Sequence, residues 1–183
     1  MQTIADLVLT LSGIVVLGAF TWATRKHFVT AKAPVEFKVI SLVSITAFAA
    51  FLHQLWTLEQ GVAAHALGLS LFAVALVLFA AAIRASRKDR LTFVFEKDEP
   101  RFLLRHGPYR VIRHPFYTSY TLFWIGCAVA AASPVSALFA AILFAIYVVA
   151  ARTEEGKFQQ SPLAAEYAAY RRETGFFWPR LRA

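Results

Sequence analysis

The residues best equipped for chemistry lie in one short run, His106-Gly107-Pro108-Tyr109-Arg110-Val111-Ile112-Arg113-His114-Pro115-Phe116-Tyr117, which holds two histidines, two arginines and two tyrosines. Gly107-Pro108 marks a turn. Pro115 suits the first turn of a helix and biases His114 away from helical dihedrals. Arg113 and His114 are therefore expected to project from irregular backbone, where one anion can meet both. Further along stands Arg152-Thr153-Glu154-Glu155. A helix C-terminus favours cations over carboxylates, so two adjacent glutamates there call for a positive partner, either an arginine or a cationic ligand. Arg/His facing Glu-Glu suits a zwitterion, a carboxylate carried together with an ammonium or sulfonium. The competing readings are a lipid-headgroup anchor for the first cluster and a solvated acidic pair for the second.

Other chemistries find no support. No glycine-rich phosphate loop and no Gly-x-Ser-x-Gly elbow occurs. The five histidines show no metal-ligand spacing, and no metal is expected. Cys127 is the single cysteine and sits in an apolar run, so it reads as a small hydrophobe in a helix. His53, followed by Gln54, is the ionisable residue within an apolar segment, which makes it a functional candidate; His27 and His65 sit near segment ends and say less.

Composition says what must position these residues. The chain is 58% apolar and 16% charged, with a mean hydropathy of +0.56. Soluble domains run nearer 45–50% apolar and about 25% charged. Disorder, a disulfide scaffold and a soluble nucleic-acid module are excluded, and an all-α integral membrane protein is expected. Five segments approach the roughly 20 residues of a spanning helix: about Ile4–Thr24, Phe37–Leu58, Val62–Ile83, Phe116–Ala132 and Pro134–Ala151. Only Ser133-Pro134 separates the last two, which must form a tight C-terminal helical hairpin. That hairpin brings Arg113-His114 level with Glu154-Glu155. Small residues at i, i+4, namely Gly126 and Ala130 and then Ala137, Ala141 and Ala145, are expected to pack it.

The first segment lacks a basic n-region and exceeds a cleavable signal in length, so it reads as a retained helix. All 19 basic residues fall in segments 25–38, 84–113 and 152–182, which five spans place on one side. The positive-inside rule makes that side cytoplasmic, with the N-terminus outside. The net charge of +8 is thus topological, and no nucleic-acid partner is expected. Residues 85–113, with Phe93, Phe95 and Phe102, and residues 152–183, with Tyr167 and Tyr170, read as cytoplasmic amphipathic segments. The whole, 1–183, reads as one membrane-embedded domain, with three N-terminal spans in 1–84 and the functional half in 85–183.

Residues 103–180 resemble the isoprenylcysteine carboxyl methyltransferase family and its relatives among phospholipid N-methyltransferases. The matching pieces are Gly107-Pro108-Tyr109, Arg113-His114-Pro115-x-Tyr117, the hairpin, Arg152-x-Glu154-Glu155, Tyr167-x-x-Tyr170 and Trp178-Pro179. Ser119 stands where family members often carry glycine, and Leu163-Ala164 where Phe-Gly usually precedes the first tail tyrosine. The resemblance implies S-adenosylmethionine as cofactor, held by His106, Gly107, Tyr109, Arg113, His114, Pro115, Tyr117, Glu154 and Glu155. Arg113 and Glu155 take the catalytic roles, and the acceptor is a lipophilic molecule from the bilayer, an isoprenylcysteine-like carboxylate or a phospholipid amine. A bacterial inner membrane fits the composition. A sterol-type reductase using NADPH, with a related Arg-His-Pro-x-Tyr ending, and a non-enzymatic membrane scaffold are the alternatives.

Overall fold

The computed structural model describes residues 2–26, 28–29, 35–86, 91–92 and 102–180. His27, Phe93 and Phe95 lie outside the described residues. The helices are α1 (Gln2–Lys26), α2 (Val35–Thr57), α3 (Val62–Ser86), α4 (Pro115–Ala131), α5 (Pro134–Gln159) and α6 (Ala164–Glu173). Two-residue strands β1 (Phe28–Val29) and β2 (Leu91–Thr92) pair in parallel, tying the chain after α1 to the chain after α3. A pairing this short leaves no periodic signal to read.

By length and composition, α1, α2, α3 and α5 can each cross a membrane. Their outward faces are apolar and exposed, as at Ile4 and Val15 on α1, Leu42 and Ile45 on α2, Val77 on α3 and Leu138 on α5. In water such a surface would be a liability; in a bilayer it is the expected exterior. Four helices thus meet the length criterion where five spans are expected. The fifth candidate, α4, has 17 residues, about 26 Å at 1.5 Å per residue. It is the core helix, with Ser119, Phe123, Trp124, Cys127 and Ala130 all buried. Helix α5 continues about two turns beyond its expected end at Ala151, so Glu154 and Glu155 ride on helix and not on a trailing loop.

Local chemistry sets the α4 and α5 boundaries. His114 stays outside α4 with φ −123° and ψ 63°, and Pro115 takes the first helical position. At the other end Ala132 turns the chain with φ 47°, and the Ser133 hydroxyl accepts a hydrogen bond from the Val135 amide at 3.2 Å. The small residues of α4 do not serve the hairpin. Gly126 and Ala130 face α3, so close that a Cβ on Gly68 would lie 2.5 Å from the Ala130 Cβ. Ala137, Ala141 and Ala145 are exposed, on the outer face of α5. Helix α5 instead meets α4 through Tyr147, which accepts a hydrogen bond from the Trp124 indole at 3.1 Å and stacks on Tyr117 at 5.8 Å. Ser119, the departure from glycine, donates to the Ala75 carbonyl at 2.8 Å and so ties α4 to α3.

The end opposite the charged segments carries its own polar clasps. Asp6 and His65, both buried, approach to 3.0 Å and join α1 to α3. The Ser136 hydroxyl donates to Gln54 at 3.2 Å and joins α5 to α2. His53 is exposed, so the buried polar group at this level of α2 is its neighbour Gln54.

Candidate functional site

Three pieces of chain meet at the charged end: the segment before α4, the end of α5, and α6 with its tail. The segment before α4 is anchored first. His106 Nε2 contacts the Ala85 carbonyl at 2.7 Å. Gly107 takes φ +58°, and a Cβ there would press to 3.0 Å on Ala85, so this turn needs glycine. A single 3₁₀ turn, Gly107–Arg110, follows. The tail then lies along the next residues like a short strand. Arg113 N–H donates to the Gly175 carbonyl at 2.9 Å, Gly175 N–H to Val111 at 3.0 Å, and His114 N–H to Phe176 at 3.3 Å. The Tyr170 hydroxyl adds a bond to the Tyr109 carbonyl at 2.7 Å. Burial pushes the Tyr170 phenol up to about 12, and Tyr109 is raised well above its usual value by burial and the Glu154 charge. Both phenols therefore keep their protons and remain donors at neutral pH.

The two glutamates, alike in sequence, have different fates. Glu155 is buried and saturated. Arg113 Nε donates to its Oε1 at 2.7 Å, His114 Nε2 lies 3.4 Å from the same oxygen, and Arg171 Nε lies 3.6 Å from the other. The Tyr167 hydroxyl also bonds to it. Arg113 is fixed in turn, its NH1 donating to the Thr174 carbonyl at 2.5 Å. Glu154 makes only a 3.6 Å approach to His114 Nδ1, and its side chain is 40% exposed. For His114, burial disfavours the charged imidazolium, but the hydrogen bonds to Glu154 and Glu155 and their charges outweigh it, and the pKa is raised.

A cavity of about 900 Å³ opens from this cluster into the space between α1, α2, α4 and α5. Its polar end is lined by Tyr109, Arg113, His114, Pro115, Tyr117 and Glu154; its interior by Leu17, Phe20, Phe48 and Leu52. Along α5 the wall reads Tyr147, Ala150, Glu154, Phe158, a 3–4 spacing that puts all four on one face. Tyr120, Trp124 and Tyr147 line the cavity as well and escape a motif-based reading; the same 3–4 spacing on α4 and α5 was their signal. Of the residues expected to hold a cofactor, His106 and Gly107 shape the loop and stand outside the cavity lining. Glu155 also stands outside it: together with Arg113, Arg152 and Arg171 it lines a separate open depression.

The cavity thus joins one cationic pair, one accessible carboxylate and several phenols to an apolar interior, a surrounding suited to an amphiphile beside a zwitterion. The phospholipid methyltransferase family profile matches residues 63–164, from the first turn of α3 to the start of α6. The chain belongs to the phospholipid methyltransferase family. That family lies within the superfamily of membrane methyltransferases that also holds the isoprenylcysteine carboxyl methyltransferases. A search of curated proteins finds no match. Family membership makes this chain a membrane methyltransferase. The matched segment carries Arg113, His114, Glu154 and Glu155, whereas α1 and α2, which form the apolar wall of the cavity, lie outside it.

Proposed function

We propose that this protein transfers a methyl group from S-adenosylmethionine to a lipophilic acceptor drawn from the bilayer. The observation that carries this reading is the continuity of the cavity, from Arg113, His114 and Glu154 at one end to the apolar faces of α1 and α2 at the other. The donor set fits the cofactor: cationic groups for a carboxylate, Glu154 for an ammonium, and Tyr109 and Phe158 for an adenine face. When bound, S-adenosylmethionine supplies a methyl on a sulfonium that departs as a neutral thioether. The chain's own work is to position, desolvate and balance charge, which for an in-line displacement supplies most of the acceleration. Glu155 holds Arg113 and His114 in place as a positioning residue, and Glu154 is the carboxylate in direct reach of the cavity.

The family match favours a phospholipid amine as acceptor. An isoprenylcysteine-like carboxylate is the second reading, supported by the sequence resemblance. We place α4 as a fifth, protein-sheathed span, with the N-terminus outside, the C-terminus cytoplasmic and the whole in a bacterial inner membrane. The supporting pattern is the gathering of all 19 basic residues in three sequence segments, 25–38, 84–113 and 152–182. Calorimetric titration of the purified protein with S-adenosylhomocysteine and with NADPH tests the cofactor, and methyl-tritiated cofactor with membrane lipid extracts tests the acceptor. Binding of S-adenosylhomocysteine and label in the organic phase are expected. Binding of NADPH alone would overturn the assignment.

A further inference from the structure

Beside the cavity, and sharing only Arg113 with its lining, lies the open depression of about 420 Å³ that Glu155 faces. Three arginines from three different elements border it, Arg113 before α4, Arg152 on α5 and Arg171 on α6, against the single carboxylate of Glu155. That carboxylate is already engaged by Arg113 at 2.7 Å, which leaves the depression with a local excess of two positive charges. Among the described residues Arg152 has no ion pair, although it is the first charge after the apolar run of α5. Gly156 forms part of the wall, and a Cβ there would meet nothing within 4 Å, so the space is open to solvent or ligand. Gln159 adds an amide donor one turn beyond.

The level of the site says what reaches it. From Pro134 to Ala151 α5 is apolar, about 27 Å of helix, close to the roughly 30 Å hydrocarbon thickness. Arg152 therefore stands at the height of lipid phosphates, and Gln159 about 10 Å further out. Guanidinium groups favour phosphate oxygens through paired hydrogen bonds, and basic pockets at the cytoplasmic surface recognise anionic lipid headgroups.

We infer that this depression binds the phosphate of an anionic phospholipid, at a site separate from the acceptor cavity. The inference takes its membrane placement from the function proposed above, but it does not depend on the cofactor. Its test uses full-length protein, delipidated in neutral detergent, with phosphatidylglycerol as probe, read by native mass spectrometry and by thermal shift. Phosphatidylglycerol should bind and raise Tm, and Arg152→Gln should weaken it about fivefold. Gly156→Leu, which puts a branched side chain into the depression and keeps every charge, should weaken binding more strongly still. S-adenosylhomocysteine affinity should stay within twofold in both variants. Equal binding of phosphatidylcholine or wild-type lipid binding by Gly156→Leu would overturn the site, and displacement of the lipid by about 10 mM inorganic phosphate would overturn the lipid as its occupant in favour of a free anion. Loss of S-adenosylhomocysteine binding in the wild-type protein would count against the cofactor assignment and leave this result readable.

Discussion

Two neighbouring glutamates that a sequence motif treats as one unit should separate cleanly under mutation. Glu155→Gln removes the negative partner from Arg113, at 2.7 Å, and from His114 and Arg171, at 3.4 and 3.6 Å. The Arg113 and Glu155 side chains are 9% and 8% exposed, so little water is available to replace what is lost. Breaking a buried pair from one side costs about 3–5 kcal/mol. For a domain of this size each kcal/mol moves Tm by about 2–4 °C, which predicts a fall of roughly 6–20 °C. Glu154→Gln meets a different environment. Its side chain is 40% exposed and its contact to His114 is long, at 3.6 Å. The stability cost should stay below about 1 kcal/mol, too little to move Tm by more than a few degrees. Under the proposed function, Glu154→Gln removes a charge-assisted contact to the cofactor's ammonium, worth about 1.5–3 kcal/mol, or roughly 10- to 150-fold in S-adenosylhomocysteine affinity. The assay is a melting curve and a calorimetric titration for each variant in one detergent. The reverse pattern would refute the division of labour, with Glu155→Gln thermally silent and Glu154→Gln unfolding the protein.

Two further outcomes follow from the same geometry. The His114 pKa is raised in the folded protein, so its ion pairs stabilise fully below the unfolded value near 6.5 and fade as pH rises through the folded value. The Tm gap between wild type and His114→Gln should therefore narrow from pH 6 towards pH 9, and a constant gap would sink the idea. Asp6→Ala leaves His65 buried without its 3.0 Å partner and should lower Tm by several degrees without changing S-adenosylhomocysteine affinity, since the pair lies at the far end of the helices. A comparable loss of affinity would show that the two ends are coupled.

Much of the fold can be read from the chain because membrane solvation punishes ambiguity. Long apolar runs must be helices there, and Pro115, Ser133 and Pro134 announce where α4 begins and where α5 takes over. Helix α4 is harder to place. Its composition and its 17 residues are both readable from the chain, but its enclosure by neighbours is a fact of packing, and hydropathy cannot tell lipid from protein as the surrounding medium. The small-residue stripe failed for the same reason. Alanines at i, i+4 mark a close contact only when another helix lies on that face, and the exposed Ala137, Ala141 and Ala145 have none.

The site shows the same limit at finer scale. Spacing alone brings Arg113-His114 and Glu154-Glu155 together, because any tight hairpin aligns the start of one helix with the end of the next. It cannot say which glutamate faces which way. On a helix, adjacent residues diverge by about 100°, so Glu154 and Glu155 cannot share one surface. Tyr147 and Ala150 decide the question, since they continue the Glu154 face down α5 into the cavity and leave Glu155 to turn toward Arg171. A motif names the residues that matter; the helical phase carried by plainer neighbours assigns their roles. The same phase argument puts Tyr120 and Trp124 on the α4 wall of the cavity and Tyr147 on its α5 wall.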